Sequence, residues 1–427
     1  MGVRRSRRRP RRRTLRTPLH RPAPRRRRRG SLGIAQSRRE DDEAGEGRAG
    51  HCRYRAGRRR AVRAARLLRP RSQRRSVVCA DDVPPHGRAA RRVGQHPEAP
   101  GDIAVGVERA VIPVDDLGAA IERFEAEGYR LVTISPADAP RIADLDGPDR
   151  LVRLDATATE AAVITVEPRP LLVPDLVPEL VISRAADADP SVGRAGMQYR
   201  DLIPSRLGGR FIASHIVIPD GGPVPDYVHH HAVRFQLIFC NAGWVKVVYE
   251  DQGEPFVMHP GDCVIQPPHI RHRVLASSDE LEVVEIGCPA DHDTHRDHDL
   301  ELPNGVGPVD RAWAGQRFVR HVDGDGDWEP WRQNGWIAQP FGIAAATGGL
   351  AEGRLVRTQA VENRDSGELL THDDEFDLLF VRSGELRFVD ASGERELGSG
   401  DSIVVPAGHA HRLVAESVEL LEVVLPG

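Results

Sequence analysis

The amino-acid sequence predicts a mainly β protein with two tandem β-barrels, preceded by a small α+β module and an arginine-rich N-terminal segment. Composition is the first observation, because basic residues crowd the N-terminal hundred residues and acidic residues the remainder. The second is that apolar, strand-like runs separated by Gly, Pro or Asp recur about every 8–12 residues over 211–286 and 343–424, a spacing typical of β-sandwiches and barrels. The third is an internal repeat, which predicts that one β-domain occurs twice.

The N-terminal segment, residues 1–103, is predicted to be disordered. Residues 1–100 contain 32 Arg, no Lys and 8 acidic residues, whereas the rest of the chain contains 28 basic and 55 acidic residues. Like-charge repulsion and the lack of apolar periodicity oppose a packed core. Arginine without lysine also suits a gene-model extension upstream of the natural start, and a basic arm that binds nucleic acid is the alternative. The acidic body argues against a nucleic-acid groove there.

The remaining composition narrows the class of protein. No apolar run approaches the roughly 18 residues of a membrane span, and no apolar stretch of a secretory signal follows the N-terminal charges. We therefore expect a soluble, cytoplasmic protein. The five cysteines form neither a disulfide framework nor a CxxC pair, so we expect them to be reduced and structural. They are Cys52, Cys79, Cys240, Cys263 and Cys288.

A small α+β module is predicted over residues 104–168. A strand at 108–114 is followed by a helix with Asp115 as its N-cap, and then by three short strand-like runs. This β-α-β-β-β order resembles one module of the vicinal oxygen chelate (glyoxalase-like) superfamily. The strands carry none of the His and Glu ligands of metal-binding members, so we expect the module to cover a neighbouring domain or to help form a dimer. Several prolines in 169–197 then predict an extended linker.

The internal repeat relates residues 260–274 to residues 399–414. Both stretches contain a Gly-Asp turn, an apolar strand, a Pro-containing turn and a final histidine at a matching offset. They predict two β-domains, over 198–300 and 326–427, joined by a linker over 301–325.

Two further clusters receive structural interpretations. The histidine-rich stretch 291–299 is acidic and lies between the two β-domains, so we expect a solvated connection rather than a site. Trp328, Trp331 and Trp336 stand where the second β-domain begins, and we expect them to close its core.

Three histidines of the first β-domain form a candidate metal site. His229 and His231 are two residues apart, so on a strand both imidazoles point to one face. Gln236 follows five residues later, and His272 comes from the second half of the domain. Three imidazoles converging from two segments, with an amide beside them, suit a divalent first-row transition metal.

The spacing of these residues resembles the cupin superfamily pattern. His229, His231, Gln236 and Gly243 match its first motif, and Gly261, Pro267 and His272 match its second. The resemblance implies two double-stranded β-helix (jelly-roll) barrels, a bicupin, with the three histidines as metal ligands. Gln236 replaces the usual Glu, so it serves as a fourth ligand or as a hydrogen-bonding neighbour and cannot be a general base. Fe(II) is the first expectation for the metal, with Mn, Ni or Zn as alternatives, and three neutral ligands favour an anionic substrate.

The second β-domain matches the same pattern less completely. His372, Asp377 and His411 occupy motif positions, but Leu370 stands where the first histidine belongs. By resemblance these three residues form a weak second metal site, and the loss of a ligand also suits a degenerate barrel kept for packing or dimerisation.

Three residues near the predicted ligands are candidate catalytic groups: Tyr227, His269 and Arg234. Arg234 is a candidate for pairing with a substrate carboxylate, and Tyr227 or His269 would be the base of a reaction that needs one. The leading hypothesis is a dioxygenase-like oxidoreductase acting on a small, anionic organic substrate in the first barrel. A metal-dependent isomerase, lyase or decarboxylase and a non-catalytic ligand-binding or sensor protein are the alternatives. We expect a homodimer, with no nucleic acid bound by the body and no membrane contact.

Overall fold

The computed structural model of the chain describes residues 106–167, 170–187, 190–192, 196–359 and 367–427. The predicted disordered segment 1–103, with Cys52 and Cys79, lies outside the described residues. The described part of the chain is mainly β, as the sequence predicts. No helix within it has the length and apolar character needed to cross a membrane.

The N-terminal α+β module contains one helix and five strands. They are β1 (Val107–Pro113), α1 (Leu117–Ala126), β2 (Arg130–Ser135), β3 (Ile142–Asp146), β4 (Leu151–Asp155) and β5 (Ala162–Val166). The helix is capped by Asp116, whose carboxylate accepts a hydrogen bond from the Ala119 amide at 3.0 Å, and not by Asp115 as expected. Leu117, Ala120 and Phe124 form the buried stripe of α1. The predicted β-α-β-β-β order is present, and β5 adds an unpredicted strand antiparallel to β1.

A short connecting region with a 3-10 turn at Ala185–Asp187 precedes the first barrel, and Arg206–Gly209 form a turn with positive φ angles inside it. The strands of this part of the chain are β6 (Val181–Ser183), β7 (Ser191–Val192), β8 (Gln198–Asp201), β9 (Ile212–Ile218), β10 (Gly222–Pro223), β11 (His229–His231), β12 (Phe235–Ala242), β13 (Val245–Tyr249), β14 (Phe256–Met258), β15 (Cys263–Ile265), β16 (His272–Ser277), β17 (Leu281–Cys288) and β18 (Thr294–Arg296).

The second barrel is also built from short strands that follow one another along the chain. Its part of the chain contains β19 (Val319–His321), β20 (Glu329–Pro330), β21 (Trp336–Pro340), β22 (Glu352–Thr358), β23 (Phe376–Gly384), β24 (Leu386–Asp390), β25 (Gly393–Leu397), β26 (Ser402–Val404), β27 (His411–Val414) and β28 (Val418–Leu425). One sheet of this barrel has the order β20-β21-β22-β28-β23-β26-β6, and the other has the order β25-β24-β27.

The segments predicted to be linkers contribute strands to the barrels. In 169–197, β6 pairs antiparallel with β26 of the second barrel, and in 301–325, β19 pairs with β15 of the first. Each of these strands is three residues long, too short for its alternation of buried and exposed residues to stand out in the sequence.

The histidine-rich stretch 291–299 is not a solvated connection, and that expectation was wrong. Its strand β18 pairs with β11 along one edge and with β2 along the other. Thr294 is 2% exposed and His292 is 7% exposed. The sheet of the N-terminal module and one sheet of the first barrel therefore form one eleven-stranded sheet, which runs β14-β13-β16-β11-β18-β2-β3-β4-β1-β5 with β10 on β16. A three-residue strand made of Thr, His and Arg has no apolar pattern to reveal it.

Apolar packing joins the two barrels. One core cluster contains residues of both, and within it the rings of Phe211 and Phe376 stack with centroids 4.3 Å apart. Trp331 and Trp336 belong to the interior core of the second barrel, as expected. Trp328 does not; it is partly buried and packs against the core cluster that the two barrels share. The cysteines of the described residues are free and buried: Cys240, Cys263 and Cys288.

Candidate metal centre

Two neighbouring strands carry the three predicted histidine ligands. His229 and His231 are the first and last residues of β11, and both point to the same side because strand residues alternate. His272 begins β16, where it lies directly opposite His229 in the antiparallel pair. The HxH spacing and this register bring the three side chains into the interior of the first barrel.

The geometry of the three imidazoles suits a metal ion. One ring nitrogen from each histidine lies within 4.8 Å of the corresponding nitrogens of the other two. The ring centroids are 4.3 Å apart for His229 and His272, 5.2 Å for His229 and His231, and 5.3 Å for His231 and His272. All three side chains are buried. Imidazole nitrogens clustered in this way are a donor set for a divalent transition metal.

The Nδ1 atoms of these histidines are held by neighbouring groups. Nδ1 of His229 donates to the Tyr227 carbonyl at 2.8 Å, and Nδ1 of His272 donates to the Ile270 carbonyl at 3.0 Å. In both rings Nε2 then carries the lone pair that a metal requires. In both cases the acceptor carbonyl belongs to the residue two positions before the histidine, so the local backbone orients the ring.

His231 is oriented from the adjoining strand. Its Nδ1 lies 3.3 Å from Oγ1 of Thr294 and 3.4 Å from the carbonyl oxygen of Asp293. Both groups belong to or border β18, the strand that continues into the N-terminal module. The histidine-rich stretch therefore helps to position one candidate ligand.

Gln236 has hydrogen bonds at both ends of its amide. Its Oε1 accepts from Nε2 of Gln266 at 2.9 Å, and its Nε2 donates to Oε1 of Glu285 at 2.6 Å. Gln266 in turn accepts from the Tyr249 hydroxyl at 2.6 Å. Of the two roles predicted for Gln236, these contacts favour the hydrogen-bonding neighbour, because the amide oxygen already has a donor.

Glu285 and Tyr249 are interior polar residues that the sequence analysis missed. Glu285 lies on β17, where it shares the inward face of the strand with Leu281 and Val283, and its side chain lines the cavity. In the sequence, this residue could have been found as a charged residue two and four positions after apolar residues that face inward on the same strand. Burial raises the pKa of Tyr249, so this residue is a neutral phenol that donates into the chain of amides.

The candidate centre opens on a small cavity of about 100 Å³. Apart from the histidines and the polar chain just described, most of its lining is apolar and includes Met197, Ile216, Ile238, Val247, Met258 and Val274. A cavity of this size and lining accepts only a small ligand and limits the access of water.

The three predicted catalytic residues do not line this cavity, although the Tyr227 ring lies edge-on to that of His229 with centroids 5.7 Å apart. The described residues that line the cavity do not include Tyr227, His269 or Arg234. The Tyr227 ring packs against the core of the N-terminal module, with the Arg296 guanidinium 4.6 Å from its centroid. His269 has a φ of 66° in the turn before His272, and its ring is 5.4 Å from that of His230. The three roles were assigned from sequence proximity, which does not say which way a turn residue points.

The Arg234 side chain joins the two barrels. Its guanidinium forms a two-pronged ion pair with Glu375 of the second barrel, with Nη1–Oε1 at 2.9 Å and Nη2–Oε2 at 3.1 Å. Arg210 binds the same carboxylate at 2.5 Å. Burial opposes ionisation of Glu375, but the two arginines outweigh it and hold its pKa below the usual value.

The second barrel brings together only part of its predicted ligand set. Nε2 of His372 is 3.5 Å from Oδ2 of Asp377, and the compact group of candidate ligand atoms there is completed by Asp374. His411 is fully buried nearby, with its Nδ1 donating to the His409 carbonyl at 2.9 Å, but it is not one of that group. Leu370, at the place of the first histidine, forms a backbone bridge with His411.

Comparison with known proteins identifies the class to which these barrels belong. The family model described as a cupin domain matches residues 214–287 and again residues 358–425. Each barrel therefore contains a segment that matches the cupin domain, as the motif spacing predicts. No curated protein matches the chain.

Similar solved structures include two oxalate decarboxylases and one further protein. An S161A mutant of the Bacillus subtilis oxalate decarboxylase has 14% identity and a TM-score of 0.41, covering 61% of this chain and 80% of that one. The formate complex of the Lactobacillus farciminis oxalate decarboxylase has 14% identity and a TM-score of 0.42, covering 60% and 88%. The protein Ylba from E. coli has 11% identity and a TM-score of 0.42, covering 60% and 93%. Identities this low do not transfer a function.

Proposed function

We propose that the first barrel is the active site of a metal-dependent, dioxygenase-like oxidoreductase that acts on a small organic substrate. The observation that supports this proposal is the ligand group itself. It consists of the three imidazoles of His229, His231 and His272, and Glu285 lies in the same cavity but outside the group. A neutral three-histidine set leaves coordination positions for other molecules, and a redox-active ion such as Fe(II) would supply one-electron chemistry with dioxygen when bound there. Mn, Ni and Zn remain alternatives.

The protein groups around the site have separate tasks in this proposal. The apolar wall of the cavity restricts the substrate to a small molecule and keeps bulk water away, which strengthens polar contacts inside. The amide chain from Tyr249 through Gln266 and Gln236 fixes the position of the Glu285 carboxylate. Three neutral ligands would leave the positive charge of a bound metal uncompensated, which favours an anionic substrate.

Oxygen consumption by metal-loaded protein tests this proposal. Full-length protein would be loaded anaerobically with Fe(II), its metal content measured by mass spectrometry, and its oxygen uptake followed with a panel of small phenolic, thiol and carboxylate compounds. His272→Ala should abolish uptake, and replacement of the exposed His259 by Ala provides the matched control. Iron-replete protein that consumes no oxygen across the panel contradicts the proposal.

A second candidate function keeps the metal and omits oxygen. Glu285 favours it, because a cavity-facing carboxylate supplies the base that an isomerase, lyase or decarboxylase needs and that Gln236 cannot provide. This alternative predicts turnover under argon that Glu285→Gln removes while metal content stays unchanged. An oxidoreductase would instead show no turnover without oxygen. Tight ligand binding that survives His272→Ala, with no turnover in either atmosphere, would indicate a sensor.

A further inference from the structure

The interior of the second barrel contains two carboxylates at positions that correspond to Gln236 and Glu285 of the first. In the first barrel Gln236 pairs with Gly287, and Ile238 pairs with Glu285. In the second barrel the equivalent register pairs Asp377 with Val424, and Leu379 with Glu422. The duplication thus retains the inward acid of the last strand, but it places a carboxylate where the first barrel has an amide.

These two carboxylates are fully buried, and an arginine lies between them. Asp377 and Glu422 are both 0% exposed. Nη2 of Arg332 is 2.6 Å from Oδ2 of Asp377 and 3.0 Å from Oε1 of Glu422. Nε of Arg354 lies 2.7 Å from Oε2 of Glu422. Buried acids require such compensation, because charges of like sign repel strongly where water is excluded.

Arg332 is held in place by its two neighbours in the chain, Trp331 and Gln333, which are buried in the barrel. Trp331 Nε1 donates to Oε2 of Glu422 at 2.9 Å. Gln333 exchanges two hydrogen bonds with the backbone of Leu413, at 2.6 and 3.1 Å. The Arg332 guanidinium also lies 4.6 Å from the centroid of the Trp331 ring. The arginine is therefore fixed on both sides along the chain.

The histidines of this barrel remain beside the arginine. Nε2 of His372, Nε2 of His411 and Oδ1 of Asp377 are buried and have no hydrogen-bond partner among the residues that the structure describes. They are the motif ligands that a cupin metal site would use. The Arg332 guanidinium binds Oδ2 of Asp377, a member of the candidate ligand group that His372 and Asp374 complete, and it places a positive charge beside any ion bound there. The ligand set also lacks its first histidine. The residues present do not fit a resident metal.

We infer that Arg332 takes the place of a metal ion in the second barrel, so that of the two barrels only the first binds a divalent metal. The inference does not depend on which reaction the first barrel performs. It also accounts for the difference between the barrels. In the first barrel, the inward carboxylate Glu285 accepts a hydrogen bond from the Gln236 amide. In the second barrel, the positive charge of Arg332 lies between the carboxylates of Asp377 and Glu422.

Metal content of three purified proteins tests this inference directly. Apoprotein would be equilibrated with Mn²⁺ or Zn²⁺, freed of excess metal by gel filtration and measured by mass spectrometry. Wild type should retain one ion per chain, and the double variant His229→Ala/His231→Ala should retain none. Two ions in wild type, or one ion remaining in the double variant, would overturn the inference. A wild type without metal would instead count against the proposed function, so the two failures are distinguishable.

Removal of the arginine supplies the converse test. Arg332→Met should free Asp377 and the two histidines, raise the content to two ions per chain, and give a Tm that rises with added metal even when the first barrel is disabled. Arg387→Met, which removes an exposed partner of Glu394, is the matched control and should leave the content at one. A folded Arg332→Met protein that takes up no second ion overturns the assignment of Arg332. If that variant does not fold, the wild-type and double-variant measurements still decide.

Discussion

Replacing Gln236 by Glu would place a second carboxylate against Glu285. In the wild type the Gln236 amide donates to Glu285 Oε1 at 2.6 Å. Two carboxylates about 3 Å apart repel by roughly 5 kcal/mol at an effective dielectric constant of about 20. Protonating one of them at pH 7 costs less, because the cost is about 1.4 kcal/mol for each pH unit above a normal carboxyl pKa of about 4.3. We therefore expect one acid of the pair to be protonated and the free energy of unfolding to fall by roughly 3–4 kcal/mol at pH 7.

The pH dependence of this loss follows from its cause. An acid whose pKa is raised in the folded state destabilises the protein increasingly as pH rises above the unfolded-state pKa, so the loss should shrink to about 1 kcal/mol at pH 5. Urea unfolding of metal-free protein in chelator at pH 5, 6 and 7 measures it. Gln359→Glu, at an exposed position, is the control for an added charge.

A swap of the two groups tests whether the partner is correct. The double variant Gln236→Glu/Glu285→Gln restores one amide and one carboxylate, so it should recover most of the stability lost by Gln236→Glu at pH 7. A single variant as stable as wild type at pH 7, or a swap variant as unstable as the single one, would refute the contact between these side chains.

The other predictions concern the barrel interface and the metal. Phe376→Ala should lower the free energy of unfolding by about 3–5 kcal/mol, measured by urea denaturation, because it leaves a cavity between the barrels. Arg234→Met should weaken the interface at neutral pH and lose its effect as pH falls through the folded-state pKa of Glu375, since that pKa is lowered and the protonated acid no longer attracts the arginine; urea midpoints from pH 7 to pH 3 would show the two proteins converging. Added Mn²⁺ or Zn²⁺ should raise the Tm of wild type but not that of His272→Ala, and equal shifts would argue against the three-histidine centre.

Local spacing carried the correct part of the sequence analysis. His229 and His231 share a strand, and His272 follows at the offset typical of the motif, so alternation and repeat length were enough to place them together. The two cupin domains followed from the same repeat. Residues that act across the barrel were missed, because Glu285 and Arg332 gain their meaning only from the strands that face them. A charge in an apolar strand marks Glu285 in retrospect, whereas Arg332 stands in a turn with no pattern.

The roles of turn and connecting residues were the least predictable. Arg234 is three residues from His231, yet its partner Glu375 is 141 residues away along the chain. Strand β18 was hidden for a related reason: its three residues, Thr294–Arg296, are all polar, so its sequence resembles a solvent-exposed stretch. In each case the side chain or strand that makes the contact is remote in sequence, so the local composition does not reveal it.

The shared eleven-stranded sheet has a practical consequence for anyone who shortens this chain. A truncated protein that starts at the first barrel would leave β18 with a bare hydrogen-bonding edge where β2 had been, one strand away from the histidines. Exposed edges of this kind recruit other chains and favour aggregation. Such a fragment would have an unpaired strand edge next to the strand that carries its candidate metal ligands. A low metal content measured on it would then reflect the disturbed β18 and not a property of the barrel.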